Sequence, residues 1–305
     1  MVNIKQVKVY SPGSIANLGP GFDVFGIALD SLGDFVYLTE IHEPVVEIDI
    51  KGIGAENIPN KPEINSSGAV LLKVMRDYDL QNGFSVEIRK GLPSSAGVGS
   101  SGASAAATAI AVNELMELGL SLKQLVKLAS YGEGAVAGHP HADNVAASIM
   151  GGFVMVGEGC DVIRMDAPGI GIVVLVPEIH IPNKTRTARE LLPENVKLSD
   201  AVKNIGHATR MTAAVALHDP VLFGKSICDS LIEPHRAAMI PHFWEVKEAA
   251  LRAGAYGCSI SGGGPSIFAV GEPVGEIAKA MMNAFKDVPS KIYHTQPTNR
   301  GAMVI

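Results

Sequence analysis

The chain has 305 residues, 25 Lys and Arg against 31 Asp and Glu, and a formal charge of −6, which suits two modest domains or one large one. Apolar residues make up 47% and charged residues 18%, which excludes intrinsic disorder, and the acidic balance excludes the dense basic face of a nucleic-acid binder. Apolar runs such as 172–176 are too short to cross a bilayer and the N-terminus lacks a secretion-signal pattern, so a cytoplasmic protein without nucleic-acid or membrane partners is expected.

In chain order, residues 7–10, 35–41 and 45–50 are β-branched and partly alternating, and are predicted as strands. Residues 67–78 have helical periodicity, and Phe84, Val86 and Ile88 alternate on one face of a further strand. The alanine-rich stretch 103–118 predicts a tightly packed buried helix. Ser121 opens the next one, with Gln124 completing a capping box and Leu122, Leu125, Val126 and Ala129 as its buried stripe. Beyond Asp161 the pattern restarts: a buried strand at 171–176, helices at 200–217, 220–231 and 241–252, a hairpin-like pair at 256–259 and 266–270, a helix at 276–285 and a strand at 291–295. This irregular alternation predicts an α+β pair of domains, divided as 1–165 and 166–305. Cys160, Cys228 and Cys258 are far apart and odd in number, so reduced core thiols are expected rather than a disulfide framework or a zinc site. Tyr78, Phe153 and Trp244 are read as core or interface residues.

Most of the 33 glycines cluster between apolar segments, where backbone must come close to something. The strongest cluster runs from Lys90 to Ala106, with a strand leading in and a long helix leading out. Backbone N–H groups in such a loop, with the positive end of the helix dipole, make an anion site. Gly97-Val-Gly-Ser-Ser-Gly102 formally matches the dinucleotide fingerprint, but Pro93 stands where a tight turn is needed and no second strand ending in an acid follows. A Walker A loop fails outright, since Ala103 stands where Lys is required. A Ser/Gly-rich helix cap without a ligand is the plainer alternative.

Leu92-Pro-Ser-Ser-Ala-Gly-Val-Gly-Ser-Ser-Gly102 also resembles the central motif of the GHMP kinases, with Val98 for the usual Leu and Gly102 for the usual Ala. The segment 11–26 resembles that family's first motif, in the form found in its homoserine-phosphorylating members, and 259–269 its third, a glycine-rich loop that packs beside the phosphate loop. The run 133–152, with His139-Pro-His-Ala-Asp143-Asn144, is similar to the same branch. The resemblance implies the two-domain GHMP fold, with an N-terminal unit like ribosomal protein S5 domain 2 that binds nucleotide and a ferredoxin-like C-terminal unit closing the substrate site. It implies ATP-dependent phosphorylation of L-homoserine, with Mg²⁺, in a homodimer.

Residue by residue, the resemblance implies ATP binding by Leu92, Pro93, Ser94, Ser95, Ala96, Gly97, Val98, Gly99, Ser100, Ser101 and Gly102, with Asn65 either in the adenine pocket or only capping a helix. Mg²⁺ is implied at Ser101 and Glu133, with Ser100 competing for the hydroxyl role. Asp23 is assigned to the substrate ammonium, Asn17 to its hydroxyl, and Arg189 and Arg236 to its carboxylate, where guanidinium forks suit a bidentate clamp. His139, Asn144, Thr185 and Gly263 complete the wall; Asn17, Thr185 and Asp143 are the candidate catalytic set. Asp143 is read as orienting its neighbours more than abstracting a proton, because a loose phosphoryl-transfer transition state needs little early proton removal. Arg186 is read as a solvated charge, and His139-Pro-His-Ala-Asp143 as no metal cluster, since Asn144 stands where a further His belongs. A mevalonate or sugar acceptor, or a non-catalytic sensor of the same architecture, are the competing functions.

Overall fold

The computed structural model describes residues 5–94, 96–138, 142–179, 181 and 184–305. The first layer is built from β1 (Gln6–Ala16), β2 (Phe25–Ile41), β3 (Val46–Gly52), α1 (Ser66–Asp77), β4 (Gly83–Lys90), α2 (Ser100–Leu115), α3 (Leu122–Ala137), α4 (Ala142–Met150), β5 (Phe153–Val156) and β6 (Val162–Met165). The second contains β7 (Ile172–Pro177), α5 (Lys184–Glu190), α6 (Leu198–Ala216), α7 (Pro220–Lys225), α8 (Glu233–Arg236), α9 (Phe243–Arg252), β8 (Ala255–Ile260), β9 (Ile267–Gly271), α10 (Val274–Ala284) and β10 (Ser290–Thr295). A short β11 (Met303–Val304) returns to pair with β1.

The 17 residues of β2 are long enough to serve two neighbours on one edge: Phe35–Ile41 pairs with β4, and Phe25–Ile27 with β5. Between β1 and β2 the register shifts at Pro12/Ser14, a bulge that re-aims the chain before it leaves the sheet at Ala16. Helix α2 packs against β1, β2 and the other three helices of this layer. Its run of alanines, at 103, 105, 106, 107, 109 and 111, is almost wholly buried, which suits a helix enclosed on all sides by close neighbours.

The second sheet has the order β10-β7-β9-β8, every pair antiparallel. Numbered within the unit, that is a 4-1-3-2 order from a β-helices-ββ-α-β chain, the ferredoxin-like arrangement. Both faces of β7 are covered, so it is apolar throughout. Val173 and Leu175 face a core with Phe243, Val246 and Met281, whereas Ile172, Val174 and Val176 share a core with Ile15, Leu18, Phe25, Leu92, Val98 and Phe153. This second core joins the two sheets, and it fixes the phosphate loop and the first glycine motif against the ferredoxin-like layer. No helix among the described residues is long and apolar enough to span a membrane.

Several sequence expectations shift. Leu122 is 52% exposed rather than buried, like Lys123 and Gln124 of the same first turn; the stripe begins at Leu125. The helix expected over 220–231 stops at Lys225: the Asp229 side chain accepts from the N–H groups of Leu231, Ile232 and Glu233 and starts a separate turn, α8. Only Cys258 is a core thiol; Cys160 is half-buried and Cys228 exposed, at the end of that interrupted helix. Phe153 is buried, but Tyr78 and Trp244 are largely exposed.

Candidate active site

A cavity of about 250 Å³ lies where the first glycine motif, the phosphate loop and the loop after β8 converge. Part of its wall is apolar, from Ile50, Ile58, Pro59, Ile64 and Ile88, and Asp23, Asp143, Arg189 and Arg236 contribute charge. Ala96, Gly97, Gly99, Ser100 and Ser101 of the loop line it as well.

The loop's geometry depends on two left-handed glycines, Gly97 (φ 82°) and Gly99 (φ 66°), the latter immediately before α2. An added Cβ on Gly97 would stand 2.4 Å from the Ser261 carbonyl oxygen, and one on Gly99 would stand 2.3 Å from Ser14 Oγ. Ser261 Oγ donates to the Gly97 carbonyl at 2.7 Å, so the third glycine motif packs on the second as the sequence implies. Gly102, where the family motif carries Ala, faces Asn144: a Cβ there would lie 3.3 Å from that of Asn144. The side chains of Leu92 and Val98 are buried in the core that joins the two sheets, so only their main chain is turned to the loop, and Pro93 is absent from the cavity wall. Ser95 and His139 lie outside the described residues.

Beneath the loop, Lys90 forms a buried ion pair with Asp34 and also donates to the Ser100 carbonyl and Ser104 Oγ, each at 2.8 Å. Burial pulls the Lys90 ammonium below its ordinary value, while Asp34 and then Glu133 pull it back up. This network ties β2, β4 and the first turn of α2 together. The sequence reading assigned it no role, although Lys90 begins the loop motif.

The first glycine motif is strained: Asn17, Leu18 and Gly19 are all left-handed, with φ of 70°, 51° and 85°. Burial of Leu18 in the joint core holds that conformation. Asn17 Nδ2 donates to the Gly262 carbonyl at 2.9 Å and its Oδ1 accepts from the Asp23 N–H at 3.0 Å, leaving one side-chain N–H for a ligand. Asp23 meets Arg189 at 2.6 Å. The Phe22 ring lies between the two guanidiniums, 5.3 Å from Arg189 and 5.0 Å from Arg236, a double cation–π contact. Arg236 is buried and donates to the carbonyls of Ala188 and Gly262. Burial lowers its pKa, opposed first by Asp23, while Arg189 adds to the lowering.

Asp143 is 3% exposed at the start of α4, and its Oδ1 accepts the Asn144 N–H at 2.8 Å. Asn144 Oδ1 in turn accepts from Ser14 Oγ at 2.9 Å. Glu133, buried on α3, lines the same cavity as Ser101. Asn65 does two things at once: it lines the cavity, and its side chain caps α1 by accepting from Ser67 and Gly68 while donating to the Pro59 carbonyl. Gly263 lines the wall, Thr185 is carried by α5, and Arg186 is an exposed partner of Glu190.

Two family models match the chain: GHMP kinases N terminal domain over residues 65–152, and GHMP kinases C terminal over 211–287. A homoserine kinase of Methanococcus vannielii is 41% identical over 297 residues, covering 96% of each chain. The chain belongs to the GHMP kinase family. A second homoserine kinase, from Halorubrum lacusprofundi, is 39% identical to this GHMP kinase over 98% of its length and 99% of the relative's. The crystal structure of homoserine kinase from Cytophaga hutchinsonii superposes with a TM-score of 0.90 at 35% identity, covering 98% of this GHMP kinase and 97% of that chain.

Sequence reasoning missed Lys184, Phe22 and the apolar part of the wall made by Ile50, Ile58, Pro59, Ile64 and Ile88. The apolar residues sit on strands and short turns with nothing in their spacing to mark a ligand. Phe22 precedes Asp23 in the first glycine motif and Lys184 precedes Thr185; only the fold shows that Phe22 packs on the two guanidiniums and that Lys184 lines the cavity.

Proposed function

We propose that this GHMP kinase transfers the γ-phosphoryl group of ATP to the side-chain hydroxyl of L-homoserine, giving O-phospho-L-homoserine and ADP. One observation carries the reading: Asp23, Arg189 and Arg236, joined by an ion pair and by the shared Phe22 ring, line the same cavity as the phosphate loop. A zwitterion with a primary hydroxyl needs an anion, a cation and a phosphoryl donor within one molecule's reach. A neutral sugar offers nothing to two guanidiniums, and a hydroxy acid without an ammonium leaves Asp23 unused. The homoserine kinases described above, alike over nearly the whole chain, support the same acceptor.

In this reading ATP lies along the cavity with its base against the apolar part of the wall and its phosphates on the N–H groups of residues 96–102, at the positive end of α2. Homoserine lies with its carboxylate on Arg189 and Arg236, its ammonium on Asp23 and its hydroxyl beside Asn17 and Asp143. Alignment then supplies much of the rate, since the transition state is loose and needs charge stabilisation more than covalent help. Asp143 accepts the N–H of Asn144, whose side chain meets Ser14, and so helps to set the position of Asn144. Mg²⁺ is part of the proposal: Glu133 and Ser101 offer a buried carboxylate and a hydroxyl on one wall, a hard-oxygen pair that leaves room for waters and phosphates. The bound ion would offset charge on the β- and γ-phosphates. We assign residues 1–165 to nucleotide binding and 166–305 to closing the substrate site, in a cytoplasmic homodimer acting in threonine biosynthesis.

A coupled ADP-release assay with L-homoserine, mevalonate and galactose, with and without Mg²⁺, tests this reading. Turnover confined to homoserine and abolished by EDTA is expected. Preference for another acceptor, or tight ATP binding with no turnover, would overturn it.

A further inference from the structure

The phosphate loop carries no lysine at its end, so cationic charge for the polyphosphate must come from elsewhere in the cavity. Among the described residues, Lys90, Lys184, Arg189 and Arg236 reach its wall. Lys90 is held by Asp34, Ser100 and Ser104; Arg189 is held by Asp23; Arg236 is held by two carbonyls.

Lys184 is placed differently. Its one hydrogen bond among the described residues is to the Gly264 carbonyl, at 3.0 Å. That carbonyl lies against the phosphate loop, since a Cβ on Gly97 would stand 2.9 Å from its oxygen. The ammonium therefore sits at the rim of the loop, and two of its three donors have no partner among the described residues. A lysine at the end of a short surface helix ordinarily extends its head into water, as Arg186 of the same helix does. Lys184 turns inward instead, beside a carbonyl that satisfies only part of its charge. Lys184 and Arg189 are five residues apart on α5, about 7.5 Å along a helix axis. That is the scale of an extended homoserine from its carboxylate to a phosphorus on its hydroxyl.

We propose that Lys184 is a catalytic residue that contacts the γ-phosphoryl group, its free N–H donors binding the equatorial oxygens and remaining on them through transfer. The proposal rests on the kinase reading above. In the step, the homoserine oxygen forms the new bond to the γ-phosphorus while the bond to the β,γ-bridging oxygen breaks. ADP leaves with that electron pair, the hydroxyl proton passes to water, and Lys184 keeps its own proton throughout. A fixed ammonium on the transferring group stabilises charge where it is redistributed in the transition state. Burial holds Lys184 down at about 8, with Glu133 pulling it up and Arg236 pushing it down, so an arriving polyphosphate relieves a poorly solvated cation.

The test compares wild type, Lys184→Met and Lys184→Arg by steady-state kinetics and by calorimetric binding of ADP and of a non-hydrolysable ATP analogue. Expected for Lys184→Met are a fall in kcat of about 100-fold, a KM for homoserine within about twofold of wild type, and loss of the preference for the analogue over ADP. Lys184→Arg is expected to recover about tenfold of the lost rate. The analogue-to-ADP ratio is measured within one preparation, so it is insensitive to a fraction of misfolded protein. A KM for homoserine raised about tenfold or more with kcat retained would put the ammonium on the acceptor instead and overturn the proposal, as would unchanged nucleotide discrimination. If wild type turns over no homoserine, the kinase reading falls on its own, and nucleotide discrimination still decides whether Lys184 meets the terminal phosphate.

Discussion

Arg189 and Asp23 meet at 2.6 Å in the cavity wall, so the group assigned to the substrate's carboxylate and the group assigned to its ammonium neutralise one another before the substrate arrives. A zwitterion can exchange into this pair with little net change in charge, because each of its ends replaces the protein partner it displaces. A molecule with only one of those charges leaves either Arg189 or Asp23 without a counter-ion in a half-buried setting. 4-Hydroxybutyrate and 3-amino-1-propanol, which each keep the hydroxyl and one charge, are therefore expected to show kcat/KM at least about 100-fold below that of homoserine. Arg189→Met and Asp23→Asn are each expected to raise the KM for homoserine by about 10- to 100-fold. Turnover of 4-hydroxybutyrate at the homoserine rate would remove the exchange argument.

Gly97 is a loop position with little room for change. Its φ of 82° disfavours any side chain, and its neighbours are backbone carbonyls of the third glycine motif rather than a flexible side chain. Gly97→Ala must either push 261–264 away or abandon the left-handed conformation. Destabilisation of about 1–3 kcal/mol is expected, with kcat/KM for ATP reduced by at least about 100-fold. Urea unfolding and nucleotide titration check both. An alanine variant that melts and binds ATP like wild type would mean that the contact between the two glycine loops is dispensable.

Much of this was legible in the sequence because small residues leave a strong local mark. Gly97, Gly99 and Gly262 declare where backbones meet, and the Ser121–Gln124 capping box appears as its spacing predicts. β7 was legible because a strand covered on both faces is apolar throughout. Other features were not. The interruption after Lys225 depends on one side chain, Asp229, accepting three backbone N–H groups, which helical periodicity does not reveal. The Asp34–Lys90 pair joins residues 56 positions apart, and no local pattern connects them. Leu122 shares the exposure of the whole first turn of α3, a property of the assembled layers rather than of the local pattern.

For Asp143, the side chain's contact with the N–H of Asn144 at the start of α4, and Asn144's own contact with Ser14, favour a part in orienting Asn144. Asn in place of Asp keeps an acceptor oxygen for that N–H and removes only the charge. Asp143→Asn is expected to lower kcat by about 10- to 100-fold with little change in either KM, well short of the loss that removal of an obligatory base causes. A fall of about 10⁴-fold or more at unchanged KM would make Asp143 the base.

Cys258 gives the fold a pH-dependent signature. Burial pushes its thiol up to about 12, with Glu233 adding to the rise and Lys247 opposing it. Between the ordinary thiol value of 9.0 and about 12, the unfolded chain ionises while the folded chain stays protonated. Unfolding therefore releases a proton, and stability falls as pH rises through that window, by at most about 1.4 kcal/mol per unit. Cys258→Ala is expected to flatten this alkaline limb in urea titrations, leaving the slope below pH 8 alone. In native protein a thiol reagent is expected to modify exposed Cys228 first and Cys258 only on unfolding. Rapid labelling of Cys258 in the native state would contradict the burial.

Arg236 depends on supports that the substrate never touches. It ends a single helical turn whose start is fixed by Asp229, through three accepted N–H groups, and whose first residue, Glu233, is buried in an ion pair with Lys247 and accepts from Ser259 Oγ. Loss of the Asp229 acceptor frees the turn that aims Arg236, whereas direct loss of the guanidinium removes the contact itself. Arg236→Leu is expected to raise the KM for homoserine by about 100-fold, and Asp229→Ala by about 3- to 10-fold with a loss of about 1 kcal/mol in stability. Asp229→Asn, which retains an acceptor oxygen, is expected to recover most of both. In the Arg236→Leu background, Asp229→Ala is expected to add nothing further to the KM while still costing stability, because its kinetic effect passes through the arginine. Additive KM effects in the double variant would show that Asp229 acts on the substrate by another route.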